Sequence, residues 1–508
     1  MLSSIADLFH LQRVAPTVHT TPLRADQPAA SPQGSSANSQ LAVAVLCAAG
    51  IVVALMQTII VPLIPDLPRL LHSSPTNASW ALTITLLTGA VVTPISGRLG
   101  DMIGKRRVLL ASLGAVAIGS LVCAVSSNLI PFLVGRGLQG MGIGTIALGI
   151  SLIRDIVPPA KLGSSIGAMS ASLGVGGSLG LPFAAVIAQH ISWHALFWVS
   201  AGVAVVVMVV VALLVPASSI ATGGRFDAVG ALGLSVFLTC ILLALSKGHE
   251  WGWLSVPTLG LFAAFAVSAA LWWRYEHRHP NALIDVAINV QRPILLTNIA
   301  SVAAGFVFYA MQMMPIQILM APESAPIGTG LPMVQAALVL MPGGLVMFAF
   351  SYVSAWMSRR FGSRIALGVG SLIIGLGYVT FLVMLVGPWA ASWQWLIVVN
   401  VIVGAGLGIA YSAMPSLIME WVPVTQTGEA NGINSTMRSI GTSLATAVVS
   451  MILAASVVLV DGPAGPMPLP TVDGYMWATI ISLVTCVFAA IAAFSVPRSR
   501  LTLDPVDC

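Results

Sequence analysis

The chain has 508 residues, of which 57% are hydrophobic and only 7% charged, against roughly 25% charged in a typical soluble domain. A water-facing surface needs far more ionic side chains than this, so a soluble enzyme is excluded and lipid is the solvent that fits. The net charge of +5, in so apolar a chain, reads as Lys and Arg in cytoplasmic loops rather than as affinity for nucleic acid.

Residues 1–38 are polar and contain no apolar core for a signal peptide, so a mobile cytoplasmic tail is expected there. A helix needs about 20 apolar residues to cross a bilayer. Apolar segments of that kind fall at 41–64, 80–97, 108–128, 130–152, 164–188 and 194–215. A second set follows at 229–247, 255–273, 294–319, 334–357, 365–387, 394–419, 431–460 and 475–496. The even count puts both termini on one side. With the N-terminus inside, the loops at 98–107, 154–161, 274–292 and 359–364 are cytoplasmic, and of 21 Lys and Arg only Arg69 and Lys247 fall outside. That bias fixes the expected orientation. Two bases fall within spans, Arg136 in the fourth and Arg438 near the cytoplasmic start of the thirteenth. A charge at membrane depth is expensive and normally faces a cavity or a partner.

Cys47, Cys123, Cys240 and Cys486 lie in apolar runs and read as small buried hydrophobes, while Cys508 lies in the C-terminal tail. Neither the cysteines nor the eight histidines have metal-ligand spacing. No Walker sequence is present, so ATP drive is not expected.

The loop after span two reads Gly97-Arg98-Leu99-Gly100-Asp101-Met102-Ile103-Gly104-Lys105-Arg106-Arg107. Glycine lets helix ends approach, Asp101 can cap a helix start or pair with a base, and the basic run holds the loop inside. A weaker copy, Ala355, Met357, Arg359, Gly362 and Arg364, follows span ten. Such an echo marks a duplicated half.

The loop resembles the G-x-L-x-D-x-x-G-[RK]-[RK] signature of the major facilitator superfamily. Arg136, Gln139 and Gly140 in span four resemble its R-x-x-Q-G element; Trp80 and the turn Ser192–Phe197 also fit. Fourteen spans, with Gly404, Gly406, Gly408, Gly428, Asn431, Gly432 and Arg438 in the second half, are similar to the EmrB/QacA-type drug:proton antiporters. The resemblance implies an all-α polytopic fold: a six-helix half at 39–216, two inserted helices at 217–275, a second half at 276–497 and a cytoplasmic tail at 498–508. Spans one, four, nine and twelve would line a central cavity, opened alternately to either side as the halves rock.

The resemblance also implies a cytoplasmic latch of Gly97, Asp101, Gly104, Lys105, Arg106 and Asp155. The plainer reading is that these residues anchor loop topology. Arg136 and Gln139 share a helix face and read either as a cavity-facing, proton-coupling pair or as a structural bridge to a neighbouring helix. Span five offers Gly180-Leu181-Pro182 where antiporters carry G-P-x-x-G-G; close helix packing explains it as well. In span one Met56 stands where many relatives in the resembled group have a carboxylate, and Asp66 lies further out. No acid falls at mid-depth in any span, which leaves proton coupling to Asp66 or Asp155. The candidate substrate contacts are Met56, Gln57, Tyr309, Gln312, Met313, Asn400 and Tyr411. A cavity with Arg136 and no central carboxylate should favour neutral, zwitterionic or anionic amphiphiles over lipophilic dications.

The expected function is export of amphipathic drugs or small molecules from a bacterial plasma membrane in exchange for protons, with antibiotic resistance as its phenotype. A uniporter or symporter for one metabolite, or a coupling-deficient sensor or scaffold of the same fold, are the alternatives. No metal, cofactor or catalytic residue is expected, the proton gradient supplying the energy. The partners would be the bilayer and the substrate, without nucleic acid; a periplasmic adaptor leaves no mark in the sequence.

Overall fold

The computed structural model of the chain describes residues 36–60, 63, 66–218, 220–279, 282–387, 392–462 and 465–497. Most of the expected N-terminal tail, residues 1–35, and the C-terminal tail at 498–508 lie outside the described residues. Among the described residues, fourteen helices are long and apolar enough to cross a bilayer, and the chain is a multi-pass membrane protein.

The first group is α1 (Ser36–Thr58), α2 (Trp80–Ile103), α3 (Lys105–Val125), α4, α5 (Pro159–His190) and α6 (Trp193–Leu214). Helix α4 runs in two pieces, Leu129–Gly140 and Thr145–Ile156, joined by a 3₁₀ turn at Met141–Gly144. Glycine is a poor helix former, and α4 carries Gly135, Gly137, Gly140, Gly142 and Gly144 because it lies tight against its neighbours. A β-carbon on Gly140, for example, would collide with the Thr85 carbonyl on α2. Next come α7 (Ala228–Trp251) and α8 (Val256–Glu276). The second group is α9 (Arg292–Met320), α10 (Met333–Phe361), α11 (Ser363–Val386), α12 (Trp393–Met419), α13 (Thr427–Ala455) and α14 (Val472–Phe494).

Each group has its own apolar core. Leu46, Leu113, Leu152 and Met169 pack within the first, Phe132 against Phe197 nearby, and Tyr378, Phe381 and Met414 within the second. The groups meet along α5 with α10 and along α2 with α13. Helix α7 leans on α2 and α13, and α8 rests mainly on α7 with little else covering it.

Two features depart from the sequence expectation. Span thirteen ends at Ala455 rather than 460, and the chain continues as an antiparallel hairpin of β1 (Val457–Gly462) and β2 (Gly465–Pro470). The run Val457-Val458-Leu459-Val460 prolongs the hydropathy signal, but β-branched residues suit a strand, and periodicity does not separate short apolar strands from helices. Lys247 and Glu250, expected in an outer loop, lie in the last turns of α7. Lys247 is buried, donates to the Glu250 carboxylate at 3.0 Å and to the Ser79 hydroxyl at 2.5 Å, and sits 5.2 Å from the Trp80 ring. This cluster ties α7 to the start of α2.

The four cysteines in spans are buried and unpaired.

Candidate functional site

The loop between α2 and α3 is a single residue. Gly104 takes φ +105, which an L side chain rarely adopts, and reverses the chain between the helices. Its counterpart in the second group, Gly362 between α10 and α11, has φ +91. Gly104 is therefore a turn former and makes no close contact across the groups, contrary to the expected latch role. Arg106 also stands apart: it donates to the Ala212 carbonyl at the end of α6, within its own group.

The other expected latch residues converge. Asp101 is buried, and its carboxylate oxygens accept the backbone N–H groups of Gly428 at 3.0 Å and Glu429 at 2.9 Å. Those are free donors of the first turn of α13, where a carboxylate is best placed. Lys105 donates to both oxygens of Asp155, at 2.8 and 3.0 Å, and lies 3.6 Å from Asp101. Asp155 accepts a further bond from Ser218 at 2.6 Å. Gly97 allows the approach: a β-carbon there would strike the Gly428 carbonyl, and one on Gly428 would strike the Gly97 carbonyl. Arg98 reaches Glu429 at 3.6 Å, and Ser151 donates to Thr427 at 2.9 Å. The second group carries a reduced echo. Ser363, next to the turning glycine as Lys105 is, donates at 2.6 Å to Glu420 at the end of α12.

A cavity of about 330 Å³ lies toward the face opposite this cluster. Its walls include the last turns of α1 (Ala54, Gln57, Thr58) and the first turns of α2 (Leu82, Thr85, Leu86). Tyr309, Gln312 and Met313 of α9 and Tyr411 of α12 line it, as expected for those positions. Helices α2, α5 and α13 contribute as well, beyond the four spans implied by the resemblance.

Two expected substrate contacts, Met56 and Asn400, and the proton-coupling candidate Asp66 do not line this cavity. Met56 packs in the apolar core of the first group, because the face of α1 that carries Gln57 is the one turned to the cavity. Asn400 donates to the Leu340 carbonyl at 3.0 Å and lines a smaller adjoining cleft among α5, α9, α10 and α12, which shares Gly177, Leu181, Phe308 and Gln312 with the cavity. Asp66 is exposed and paired with Arg69 at 3.2 Å, since α1 ends at Thr58 and the chain turns away.

Arg136 is fully buried at the cavity wall. Its guanidinium donates to the Ala81 carbonyl at 3.2 Å, the Met56 carbonyl at 3.4 Å and Gln139 Oε1 at 2.6 Å. Gln139 in turn donates to Ser120 at 2.8 Å and does not line the cavity. Arg438 is the residue that sequence reasoning placed too near the membrane edge. It lines the same cavity, donates to Asn434 Oδ1 at 2.7 Å and lies 5.3 Å from the Tyr411 ring. Ser435, Ser439, Thr442 and Ser443 accompany it, and this polar stripe at i, i+3, i+4, i+7 and i+8, with Arg438 at i+3, was the available signal. Among the described lining residues there is no carboxylate.

Two helical groups around a cavity, with the Asp101 clamp lying away from it, give the architecture of a transporter fold. The sequence pattern of the Major Facilitator Superfamily matches residues 46–446 and, overlapping them, 344–505. The chain belongs to the major facilitator superfamily.

Relatives include an uncharacterised MFS-type transporter of Mycobacterium tuberculosis, 27% identical over 439 residues that cover 85% of this chain and 61% of that one. The chain thus spans about three-fifths of that relative's length. The tetracenomycin C resistance and export protein of Streptomyces glaucescens is 28% identical, covering 85% and 79%. The multidrug resistance protein Stp of Mycobacterium tuberculosis is 25% identical, covering 77% and 72%. Among solved structures, the human organic anion transporter MFSD10 superposes with a TM-score of 0.63 at 15% identity, over 90% of this chain and 99% of that one. The proton:xylose symporter XylE gives 0.63 at 14%, over 91% and 97%. At such identities these two speak for the fold alone.

Proposed function

We propose that the protein exports amphipathic small molecules across a bacterial plasma membrane by alternating access, driven by inward proton movement. The observation that carries the reading is the clamp of Asp101 on the first turn of α13, with the cavity lying toward the opposite face. The Lys- and Arg-rich face is the cytoplasmic one, with both termini on it. The structure then corresponds to the state closed to the cytoplasm, and the Gly97–Gly428 contact, Asp101, Lys105 and Asp155 form the latch that holds it. The resistance and export protein of Streptomyces glaucescens among the relatives supports the direction, and the multidrug resistance protein of Mycobacterium tuberculosis accords with it.

Proton coupling falls to carboxylates of the latch rather than of the cavity. Asp155 is buried against Lys105, and Glu429 is buried against Arg98, so a proton on either weakens an ion pair that bears on the closed face. Asp66, exposed beside Arg69, drops out as a candidate. The absence of carboxylates among the described cavity residues keeps a second reading in play, an uncoupled carrier of the same fold.

Efflux of a drug panel from cells, with and without a proton uncoupler, tests both. Export that collapses with uncoupler, and in the Glu429→Gln or Asp155→Asn variants, is the expected outcome. Flux indifferent to uncoupler removes antiport and leaves the uncoupled carrier. No flux for any compound removes export.

A further inference from the structure

The two halves each present one arginine to the same cavity, Arg136 from α4 and Arg438 from α13. Among the described residues neither takes part in an ion pair, and no lining residue is acidic. Uncompensated charge at membrane depth is costly, so two such groups facing one cavity leave a place for a counter-charge that the protein itself does not supply.

Their surroundings divide the work. Arg136 is fully buried and spends its guanidinium on the Ala81 and Met56 carbonyls and on Gln139. It is a fixed positive wall. Arg438 has one recorded bond, from Nη1 to Asn434, and is only partly buried, so its remaining N–H groups are available to a ligand. A guanidinium fork matches a carboxylate or sulfonate with two parallel bonds. Ser439 and Thr442, at i+1 and i+4 from Arg438, line the cavity beside it, their hydroxyls donating to the Ser435 carbonyl at 3.3 Å and the Arg438 carbonyl at 3.0 Å of their own helix. Across the cavity Tyr309 and Met313 offer an aromatic and an adaptable thioether surface for an apolar body. The volume of about 330 Å³ lies in the range of pockets that hold drug-sized molecules.

We infer that the cavity is an anion site: its substrates are amphiphiles with one carboxylate or sulfonate head group, bound by Arg438 and attracted by Arg136. The inference rests on the export reading above and narrows its substrate class. A lipophilic cation would meet two positive charges and no acid.

The test uses the full chain in phosphatidylcholine nanodiscs, read by fluorescence against empty nanodiscs. Three probes differ in charge: 8-anilinonaphthalene-1-sulfonate, neutral N-phenyl-1-naphthylamine of nearly the same ring system, and cationic ethidium. The sulfonate should bind wild type about tenfold or more tightly than the naphthylamine, the factor expected of a charged hydrogen-bond pair, with no saturable ethidium binding. Arg438→Gln should abolish the sulfonate preference while the naphthylamine still binds, which shows that the pocket persists; Arg438→Lys should keep part of the preference. Ethidium binding as tightly as the sulfonate would overturn the inference, and so would a sulfonate preference untouched by Arg438→Gln. If that variant does not fold, the ranking of the three probes on wild type decides the matter. Binding is read without flux, so a sulfonate that binds as expected but is not moved from cells removes export and leaves the anion site standing.

Discussion

Asp101→Asn isolates the clamp on α13. The substitution keeps shape and size but exchanges one carboxylate oxygen for an amide that can only donate. Of the bonds to Gly428 and Glu429, at 3.0 and 2.9 Å, one survives as a neutral bond. The other becomes a donor facing a donor. A buried hydrogen bond to a charged group contributes about 1.5–3 kcal/mol, and the carboxylate's interaction with the helix N-terminus adds about 0.3–1 kcal/mol. A loss of about 3 kcal/mol shifts the balance between closed and open forms of the clamped face by about 150-fold, at about 1.4 kcal/mol per tenfold. Lys105 keeps Asp155 at 2.8 Å, so the local fold persists. Nitroxides at the exposed positions Ala160, at the start of α5, and Arg359, at the end of α10, report the separation of the halves by pulsed electron resonance. The variant should show a longer distance that is minor or absent in wild type. The same distribution in both proteins would refute the clamp.

Gly97→Ala should act on the same equilibrium by sterics, because its methyl group strikes the Gly428 carbonyl backbone, which cannot give way as a side chain would; the same distance measurement reads it, and an unchanged closed population counts against the close contact. Arg136→Met should lower the melting temperature markedly, since the buried Met56 carbonyl and Gln139 Oε1 lose the Arg136 donor, at about 1–3 kcal/mol for each group left unsatisfied, while the Ala81 carbonyl keeps the Thr85 hydroxyl at 3.1 Å. Arg438→Met, which loses one bond to Asn434, should cost less, and thermal unfolding in detergent separates the two; equal losses would contradict the division of roles. Burial pushes the Glu420 carboxyl above the usual carboxylate range, and the Ser363 bond only partly offsets it. The folded protein therefore holds that proton more tightly than the unfolded chain, and stability falls as pH rises through the raised value. Glu420→Gln should raise the melting temperature at neutral pH and flatten its pH dependence; a melting curve set parallel to wild type at every pH would refute it.

Composition made the span count legible, because a lipid-facing surface is written in bulk apolarity that survives errors at helix ends. Polarity inside a buried helix was not legible in the same way. The segment Thr427–Ala430 carries Glu429 and reads by hydropathy as a loop ahead of the span at 431–460, yet it is the first turn of α13, where the Glu429 N–H donates to Asp101 and the Glu429 carboxylate accepts from the Asp285 N–H, both on other elements. Starting the helix at Thr427 rather than 431 puts Arg438 about three turns in, at the cavity, where the sequence map had it near the membrane edge. Span one failed in the opposite sense. Its apolar run continues past Thr58, but the helix does not, and Asp66 emerges at the surface instead of the cavity mouth. The proximity of Gly97, Asp101 and Lys105 was readable because a short motif fixes them relative to one another. Which residues of the motif cross between groups was not, since Gly104 and Arg106 serve their own group.

Helix α13 joins the two sites mechanically. Gly428 and Glu429 at its start are clamped by α2, and Arg438 lies ten residues on from Gly428, about 15 Å along the axis. Between them Gly432 packs directly on the backbone of Thr93 and Pro94 in α2. A rigid helix pinned at Gly432, between the clamp and Arg438, moves the segments on either side of that point in opposite senses. An anion held jointly by Arg438 and Arg136 draws the cavity end of α13 toward α4, and rocking about Gly432 then lifts the other end off Asp101. Substrate binding and an intact latch thus oppose each other, and linkage makes the opposition reciprocal. Asp101→Asn, which weakens the latch, should tighten binding of the naphthalene sulfonate, although Asp101 is not among the residues lining the cavity. Equilibrium titration in nanodiscs decides it. A sulfonate affinity equal to wild type, in a variant whose cytoplasmic face has demonstrably opened, would show that α13 does not carry the coupling.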